Sequence, residues 1–345
     1  MSPRTSISIK DVARLSGTSI STVSRVLDPW SRQKVDTPTR EKVEQAIAAL
    51  GYCPNESARR LKRRKTDTIS LVIPSIKLQS FAESDFSTGD NALFREFLEG
   101  LIREARKWRY SVKVDPIFDP EAPEMVVETM GYPFCDGVLY FGCTGWHKWR
   151  ELIERKSVPY ILIEGGEEAG ASVNIDRAVG IRQAVRHLLE KGHRQIAFCS
   201  PVSVPEKSWS KPRYQGYVDE MTAAGLSPNK RLLMVMRDSM ELRSAAVKVV
   251  AEKRITAMVC NNDAMAWQLV RELLNLGVKV PEEMAVTGFD ASPVFSCRSP
   301  RLSTVRADRG KLGEESVKSL LSKIEENSPF EGLTLPTEFI LGETS

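Results

Sequence analysis

The first fifty residues contain short apolar groups at helical spacing, separated by polar turns. A first helix is predicted between Ser8 and Gly17, because Ser8 can cap its N-terminus and glycine commonly ends a helix. Its apolar side is formed by Val12, Ala13 and Leu15. The pattern therefore predicts one short amphipathic helix at the start of the chain.

A second helix is predicted after the tight turn at Gly17, with Ser19 as its N-cap. Its inward-facing residues are Val23, Val26 and Leu27, and its outward-facing residues are Ile20, Ser21 and Arg25. A third helix begins near Asp36 or Thr37 and ends at Gly51. Two short helices joined by a glycine-containing turn form a helix-turn-helix, and the third completes a minimal all-α core.

Beyond residue 66 the pattern changes to buried-strand runs that alternate with amphipathic helices. The predicted strands are 69–73, 111–114, 136–141, 159–163, 196–199, 257–259 and 284–287. The predicted helices are 94–108, 181–189, 214–223 and 264–276. This alternation, with short Gly and Pro connections, indicates parallel α/β sheets. About 280 residues exceed one hydrophobic core, so two Rossmann-like lobes are expected.

Charge is divided unequally along the chain of 345 residues. Residues 1–65 contain 14 Lys and Arg against 6 Asp and Glu, whereas residues 66–345 contain 35 against 39. The first part therefore carries +8 and the second −4, which indicates that a small basic head meets a polyanion. Three segments are predicted: a helical domain at 1–53, a basic hinge at 54–65 and an α/β core at 66–345.

Several classes of protein are excluded by the residues themselves. No apolar run is long enough to span a bilayer, and the start lacks a secretory signal, so a cytoplasmic protein without membrane contact is expected. The six cysteines are scattered, and His147, His187 and His193 have no metal-ligand spacing. No nucleophile or phosphate-loop motif is present. We therefore expect no metal, no cofactor and no enzymatic activity.

Three N-terminal blocks are highly specific: IKDVARLSGTSISTVSRVL at 9–27, TREKVEQAIAALGY at 39–52 and PNESARRL at 54–61. They resemble the DNA-binding head and hinge of the LacI/GalR family of bacterial transcription regulators. The resemblance continues through HLLEKGHRQIA at 187–197, CNNDAMA at 260–266 and VPEEMAVTGFD at 280–290. These blocks are similar to the family's effector-binding and dimerisation core. The fold implied is a helix-turn-helix head on a periplasmic-binding-protein-like core.

The second helix supplies the candidate DNA contacts. A recognition helix enters the major groove by its N-terminal residues, so Ile20, Ser21 and Arg25 can reach base edges. Ser19, Thr22 and Ser24 are placed for phosphate, and helix capping or solvation is their alternative role. The resemblance adds Lys10, Asn55, Arg59 and Leu61 to the DNA-binding set. It implies that Leu61 of each protomer wedges a base step open from the minor groove.

The resemblance assigns effector contacts to residues at strand ends and helix starts of the core. They are Arg213, Asn262, Asp263 and Asp290, with Asp176 as a further candidate. Convergent carboxylates, a guanidinium and an amide suit the hydroxyl groups of a sugar. Helix capping is the alternative role for Asp263 and Asp176. Residues 75–91 replace a short loop of the family beside the expected pocket, so the effector can differ from those of other members.

These observations lead to one hypothesis and three alternatives. The chain is predicted to be a homodimeric repressor that binds double-stranded DNA at a pseudo-palindromic operator, with operator affinity controlled by a small-molecule effector. The expected effector is a sugar or sugar derivative, and a nucleobase or other small metabolite is the alternative. An activator of the same family would use the same parts. A solute-binding protein would need an export signal and no basic head, and an enzyme would need a catalytic constellation.

Overall fold

The computed structural model describes most of the chain, in two compact units, Met1–Lys65 and Thr66–Ser345. The described residues are 7–27, 35–53, 65–74, 90–117, 128, 130–131, 133–142, 146–165, 172–201, 210–228, 233–236, 238–326 and 328–345. The loop 28–34 and nearly all of the predicted hinge and of the 75–91 segment lie outside these residues.

The described residues of the first unit form three helices, α1 (Ile9–Ser16), α2 (Ile20–Leu27) and α3 (Thr37–Leu50). Six small apolar side chains form its core: Val12, Ala13, Val23, Val26, Val43 and Ala46. Asp36 caps α3 by accepting from the Thr39 amide at 3.2 Å. The glycines after α1 and α3 have φ near +60°, which ends each helix without steric strain. The predicted helix-turn-helix is confirmed.

One prediction about this core is wrong. Leu15 does not face inward, because its side chain is 56% exposed. Each helical residue advances about 100°, which turns Leu15 away from the side that Val12 and Ala13 share. Ile9, one turn before Val12, packs against the core instead.

The second unit begins with a six-stranded parallel sheet. Its strands are β1 (Thr68–Pro74), β2 (Ser111–Ile117), β3 (Gly137–Phe141), β4 (Tyr160–Ile163), β5 (Ser172–Ile175) and β11 (Leu333–Leu335), in the order β11-β5-β4-β3-β1-β2. Helices α4 (Asp90–Lys107) and α11 (Arg309–Glu325) cover one face. Helix α5 (Trp146–Arg155) lies on the other, where Ile153 packs against Val138 and Leu162.

A four-stranded parallel sheet forms the second lobe. Its strands are β6 (Ile196–Ser200), β7 (Leu233–Val235), β8 (Ala257–Cys260) and β9 (Ala285–Thr287), in the order β7-β6-β8-β9. Its helices are α6 (Arg177–Glu190), α7 (Lys211–Ala223), α8 (Ser239–Glu252), α9 (Asp263–Asn275) and the short α10 (Pro293–Ser296). Strands β10 (Thr304–Ala307) and β12 (Thr337–Ile340) pair antiparallel beside it. The predicted two-lobed α/β core is confirmed.

The chain passes between the lobes through single residues. Asp176 separates β5 from α6, Asp308 separates β10 from α11, and Pro336 separates β11 from β12. The first and third are tied together, since the Asp176 amide donates to the Leu335 carbonyl at 2.9 Å and the Thr337 hydroxyl donates to the Asp176 carbonyl at 2.8 Å. These short crossovers bring the residues around them close together.

Helices α4 and α11 approach each other closely because glycines line their contact. A Cβ atom added at Gly100 would overlap the carbonyl oxygen of Gly310, and one added at Gly313 would overlap the carbonyl of Phe97. Both overlaps involve backbone atoms of the facing helix, which cannot move aside without separating the helices. The absence of a side chain at Gly100 therefore fixes the spacing of this helix pair.

We predict that Gly100→Ala destabilises the core by about 1–3 kcal/mol, because the new methyl group forces the helices apart. Gly310→Ala is the matched control on the same contact, since its Cβ would have Asp308 Oδ1 as its nearest neighbour at 3.5 Å. That variant should change stability by less than about 0.5 kcal/mol or raise it. Urea denaturation measures the stability of both variants. Equal effects would show that the close approach at Gly100 does not determine the spacing of the two helices.

Candidate functional site

Helix α2 presents a polar N-terminal end and an exposed outer side. The Ser19 hydroxyl accepts from the Thr22 amide at 3.1 Å and contacts the hydroxyl of Ser21 at 2.7 Å. Ile20 is 46% exposed, and Ser21, Ser24 and Arg25 are exposed as well. Since Val23 and Val26 hold the inner side in the core, the outer side is fixed in orientation.

This geometry suits a DNA major groove. The helix N-terminus carries partial positive charge, and hydroxyl groups next to it can bond to phosphate oxygens. Ser19 caps the helix and is exposed at the same time, so one hydroxyl can serve both roles. Lys10 on α1 is also exposed. Asn55, Arg59 and Leu61 lie outside the described residues, and their roles stay predictions.

In the second unit, five buried charged side chains form one continuous set of ion pairs, which we call the charge chain. Its members, in order of contact, are Arg177, Glu164, Arg309, Asp290 and Arg213. Glu164 Oε1 accepts from Arg177 Nη2 and, at 3.0 Å, from Arg309 Nη1. Asp290 Oδ1 accepts from Arg309 Nη2 at 2.8 Å and from Arg213 Nη2 at 3.1 Å. Each carboxylate thus bridges two guanidinium groups.

The fold brings these residues together from separate strand ends and helix starts. Glu164 follows β4, and Asp290 lies three residues after β9. Arg177 and Arg309 are the first residues of α6 and α11, directly after the two crossover aspartates. Open α/β folds bind ligands outside the carboxyl ends of their strands. The charge chain occupies that position between the two lobes.

Burial changes the proton affinities of the groups at this site. Arg213 lies with its guanidinium carbon 4.2 Å from the centre of the Phe289 ring, and burial lowers its pKa to about 10. Burial also raises the pKa of Asp263 well above its usual value. Asp263 Oδ2 accepts from the Ser292 amide at 2.7 Å, and Oδ1 accepts from the Thr304 hydroxyl. Asp263 therefore satisfies neighbouring neutral donors within its own lobe.

The structure places the other predicted effector residues at helix starts. Asn262 caps α9 by accepting from the Met265 amide at 2.9 Å. Asp176 caps α6 by accepting from the Val179 amide, also at 2.9 Å. Of the five predicted residues, Arg213 and Asp290 are in direct contact with each other. The effector roles of all five stay predictions.

Sequence reasoning missed Glu164, Arg177 and Arg309, which complete the charge chain. The sequence does contain a pattern that could have identified the two arginines, because the pair Asp-Arg occurs at 176–177 and again at 308–309. In both copies the aspartate caps the following helix, and the arginine enters the cluster. Glu164 directly follows a buried strand, which is where polar site residues occur in α/β folds.

Comparison with known proteins identifies the chain's family. Residues 8–55 match the family described as bacterial regulatory proteins, lacI family, and residues 185–345 match a periplasmic binding protein-like domain. The HTH-type transcriptional regulator RegA of Clostridium saccharobutylicum is 30% identical over 332 residues, which cover 93% of this chain and 95% of RegA. The chain belongs to the LacI family. The resemblance of the N-terminal and core blocks is thereby confirmed.

Two solved structures match this LacI-family chain over almost its whole length. The Lac repressor dimer bound to operator and the anti-inducer ONPF has a TM-score of 0.79 at 24% identity and covers 98% of each chain. The complex of the transcriptional regulator CelR with cellobiose has a TM-score of 0.68 at 26% identity and covers 98% of this chain and 100% of CelR. Within the described residues, no helix of the LacI-family chain is long and apolar enough to cross a membrane.

We predict that Asp290→Asn destabilises the core by about 3–5 kcal/mol, because it leaves Arg213 and Arg309 buried beside an uncharged group. The backbone should tolerate the change, since Asp290 has φ of 103° and asparagine adopts positive φ more readily than most residues. The control Glu151→Gln removes the exposed pair with Arg155 and should cost about 1 kcal/mol or less. Urea unfolding followed by circular dichroism compares them, and a similar small loss in both would contradict the prediction.

Proposed function

We propose that this LacI-family chain is a homodimeric repressor that binds a pseudo-palindromic operator and changes its operator affinity when a small polyhydroxylated effector occupies the cleft. The observation that carries the proposal is the recognition helix. Its inner residues are fixed in a packed core, while Ile20, Ser21 and Arg25 remain exposed toward solvent. A two-fold symmetric protein matches a two-fold symmetric DNA site. Lac repressor, with the same fold, binds operator as a dimer, which supports this arrangement.

The core supports an effector-dependent role. Polar groups converge at the carboxyl ends of strands from both lobes, and CelR, a relative in fold and sequence, binds cellobiose. A ligand that contacts both lobes changes the relative stability of their arrangements, which is the requirement for coupling to a distant DNA site. We therefore assign the chain to regulation of transcription, with a sugar or sugar derivative as effector and no catalytic step.

The direct test is operator binding by the full chain. Duplexes selected from a random pool should contain inverted repeats, and affinity for the best duplex should fall steeply from about 50 to 200 mM salt, because basic residues displace counterions from phosphates. Fluorescence anisotropy measures this dependence. A flat plot of log affinity against log salt, or selected duplexes without two-fold symmetry, would contradict the proposed function.

Arg25→Ala should cost about 1–3 kcal/mol of binding free energy on the best duplex and relax the preference at one base position in each half-site, since a guanidinium reads guanine by two hydrogen bonds. Arg14→Ala is the matched control. It removes the same charge from the head, but Arg14 is an exposed residue already paired with Asp11 at 2.5 Å. Competition titrations with base-substituted duplexes provide the measurement, and equal losses on every sequence would make Arg25 a phosphate contact.

Leu61→Ala should weaken specific binding and abolish the DNA bend, because an apolar wedge between base pairs is needed to unstack them. Nonspecific binding through the basic residues 59–65 should persist. Leu61→Met, which keeps an apolar side chain of similar volume, is the conservative control. A circular-permutation gel assay reports the bend, and full bending by Leu61→Ala would remove Leu61 from the proposed contacts.

A further inference from the structure

The charge chain is not electrically balanced. It contains three guanidinium groups and two carboxylates, and its side chains are between 6% and 10% exposed. Burying a charge without a compensating opposite charge lowers the stability of the folded protein. An additional anion at this depth would therefore stabilise the third guanidinium group. The imbalance lies at the strand ends where the fold binds ligands.

Two of the three arginines use little of their hydrogen-bonding capacity. Arg177 and Arg213 each donate to one carboxylate oxygen among the described residues, although a guanidinium group has five N–H donors. The Nε atoms of both are buried without a hydrogen-bond partner. These donors belong to the two ends of the charge chain, while Arg309 in its middle bridges both carboxylates.

The acidic residues near the charge chain are not paired with its two end arginines. Both oxygens of Asp263 accept hydrogen bonds from neutral donors, the Thr304 hydroxyl and the Ser292 amide. Glu96 is near Arg309 but partly exposed, so water screens its charge. Neither carboxylate accepts a hydrogen bond from Arg177 or Arg213 in the described structure.

A neutral donor at a strand end of the second lobe suits a hydroxylated ligand. Asn261 is fully buried directly after β8, and its Oδ1 accepts from the Ser210 hydroxyl at 3.0 Å. Its Nδ2 is buried without a hydrogen-bond partner. An amide donor of this kind can bind a hydroxyl oxygen of a ligand in the same cleft. Two charged donors and one neutral donor are thus present at the same ends of the sheets.

We propose that the effector is an anionic polyhydroxylated molecule whose carboxylate or phosphate group is bound by Arg177 and Arg213. The inference rests on the proposed function in one respect, namely that the cleft holds the effector. Guanidinium groups bind carboxylate and phosphate oxygens by paired, charge-assisted hydrogen bonds. The ligand anion supplies the missing negative charge, and its hydroxyl groups reach Asn261.

The test uses the full chain and matched acidic and neutral probes. Galacturonate, gluconate and glucose 6-phosphate are compared with galactose and glucose by isothermal titration calorimetry, at ionic strength matched with sodium chloride. The variants are Arg177→Met and Arg213→Met. The control is Arg186→Met, which removes an exposed guanidinium, paired with Glu220, from the same helix as Arg177.

We expect at least one acidic probe to bind more tightly than its neutral parent. Arg177→Met and Arg213→Met should each weaken that binding by about tenfold or more, since each removes a hydrogen bond to a charged group. Arg186→Met should bind like the unmodified protein. Binding of galacturonate or gluconate identifies the anion as a carboxylate, and binding of glucose 6-phosphate alone identifies it as a phosphate.

A second measurement, the melting temperature, distinguishes an anion-binding site from a set of ion pairs that only stabilises the contact between the lobes. Removing Arg177 or Arg213 leaves two guanidinium groups and two carboxylates that stay paired through Arg309, so the unliganded melting temperature should fall less than in Asp290→Asn, which leaves three guanidinium groups beside one carboxylate. A large fall in both variants, with no binding of any acidic probe to the unmodified protein, would mean that the charge chain only joins the lobes.

The remaining outcomes also decide the question. Absence of binding by every acidic probe overturns the inference, whatever the variants do. Equal binding of a neutral sugar to the unmodified protein and to both arginine variants overturns it as well, while leaving an effector-controlled repressor intact. Failure of the proposed function is visible separately, in operator binding by the same preparation.

Discussion

The arrangement of the core depends on the charge chain that joins its two lobes. Glu164 and Arg309 belong to elements of the first lobe, whereas Arg177 and Asp290 belong to elements of the second. The ion pairs between Glu164 and Arg177 and between Arg309 and Asp290 therefore cross the cleft. Buried ion pairs require near-complete hydrogen bonding to offset desolvation, so the lobes can separate only if other donors or acceptors replace these contacts.

This constraint connects the proposed effector site with regulation. A ligand that enters the cleft competes for the guanidinium and carboxylate groups that hold the lobes together, so its binding energy depends on how far the lobes are apart. Such a difference in affinity between two arrangements is what shifts a population. The coupling needed for control of DNA binding is modest, about 1–3 kcal/mol, which is within the range of one charged hydrogen bond.

Much of the architecture could be predicted from the sequence because its elements carry strong local patterns. The helices of the head and the strands β1, β3 and β4 are examples, since their apolar residues match helical or fully buried spacing. Strands β5, β7, β10, β11 and β12 were not predicted. They contain three or four residues each, and all but β7 mix polar with apolar residues, so no continuous apolar run distinguishes them from a loop. Their pairing is set by neighbours that are distant in sequence.

The candidate site likewise combines residues that could be identified from the sequence with contacts between residues that are far apart in the chain. Arg213 and Asp290 could be predicted from the family resemblance, whereas their link through Arg309 depends on a crossover that brings residue 309 to residues 164 and 290. No local pattern contains that contact. The repeated Asp-Arg pair nevertheless has a physical explanation. The aspartate caps the first turn of the helix and thereby sets the direction of the arginine side chain that follows it. At a one-residue crossover that direction is toward the other lobe, which is why both arginines enter the charge chain.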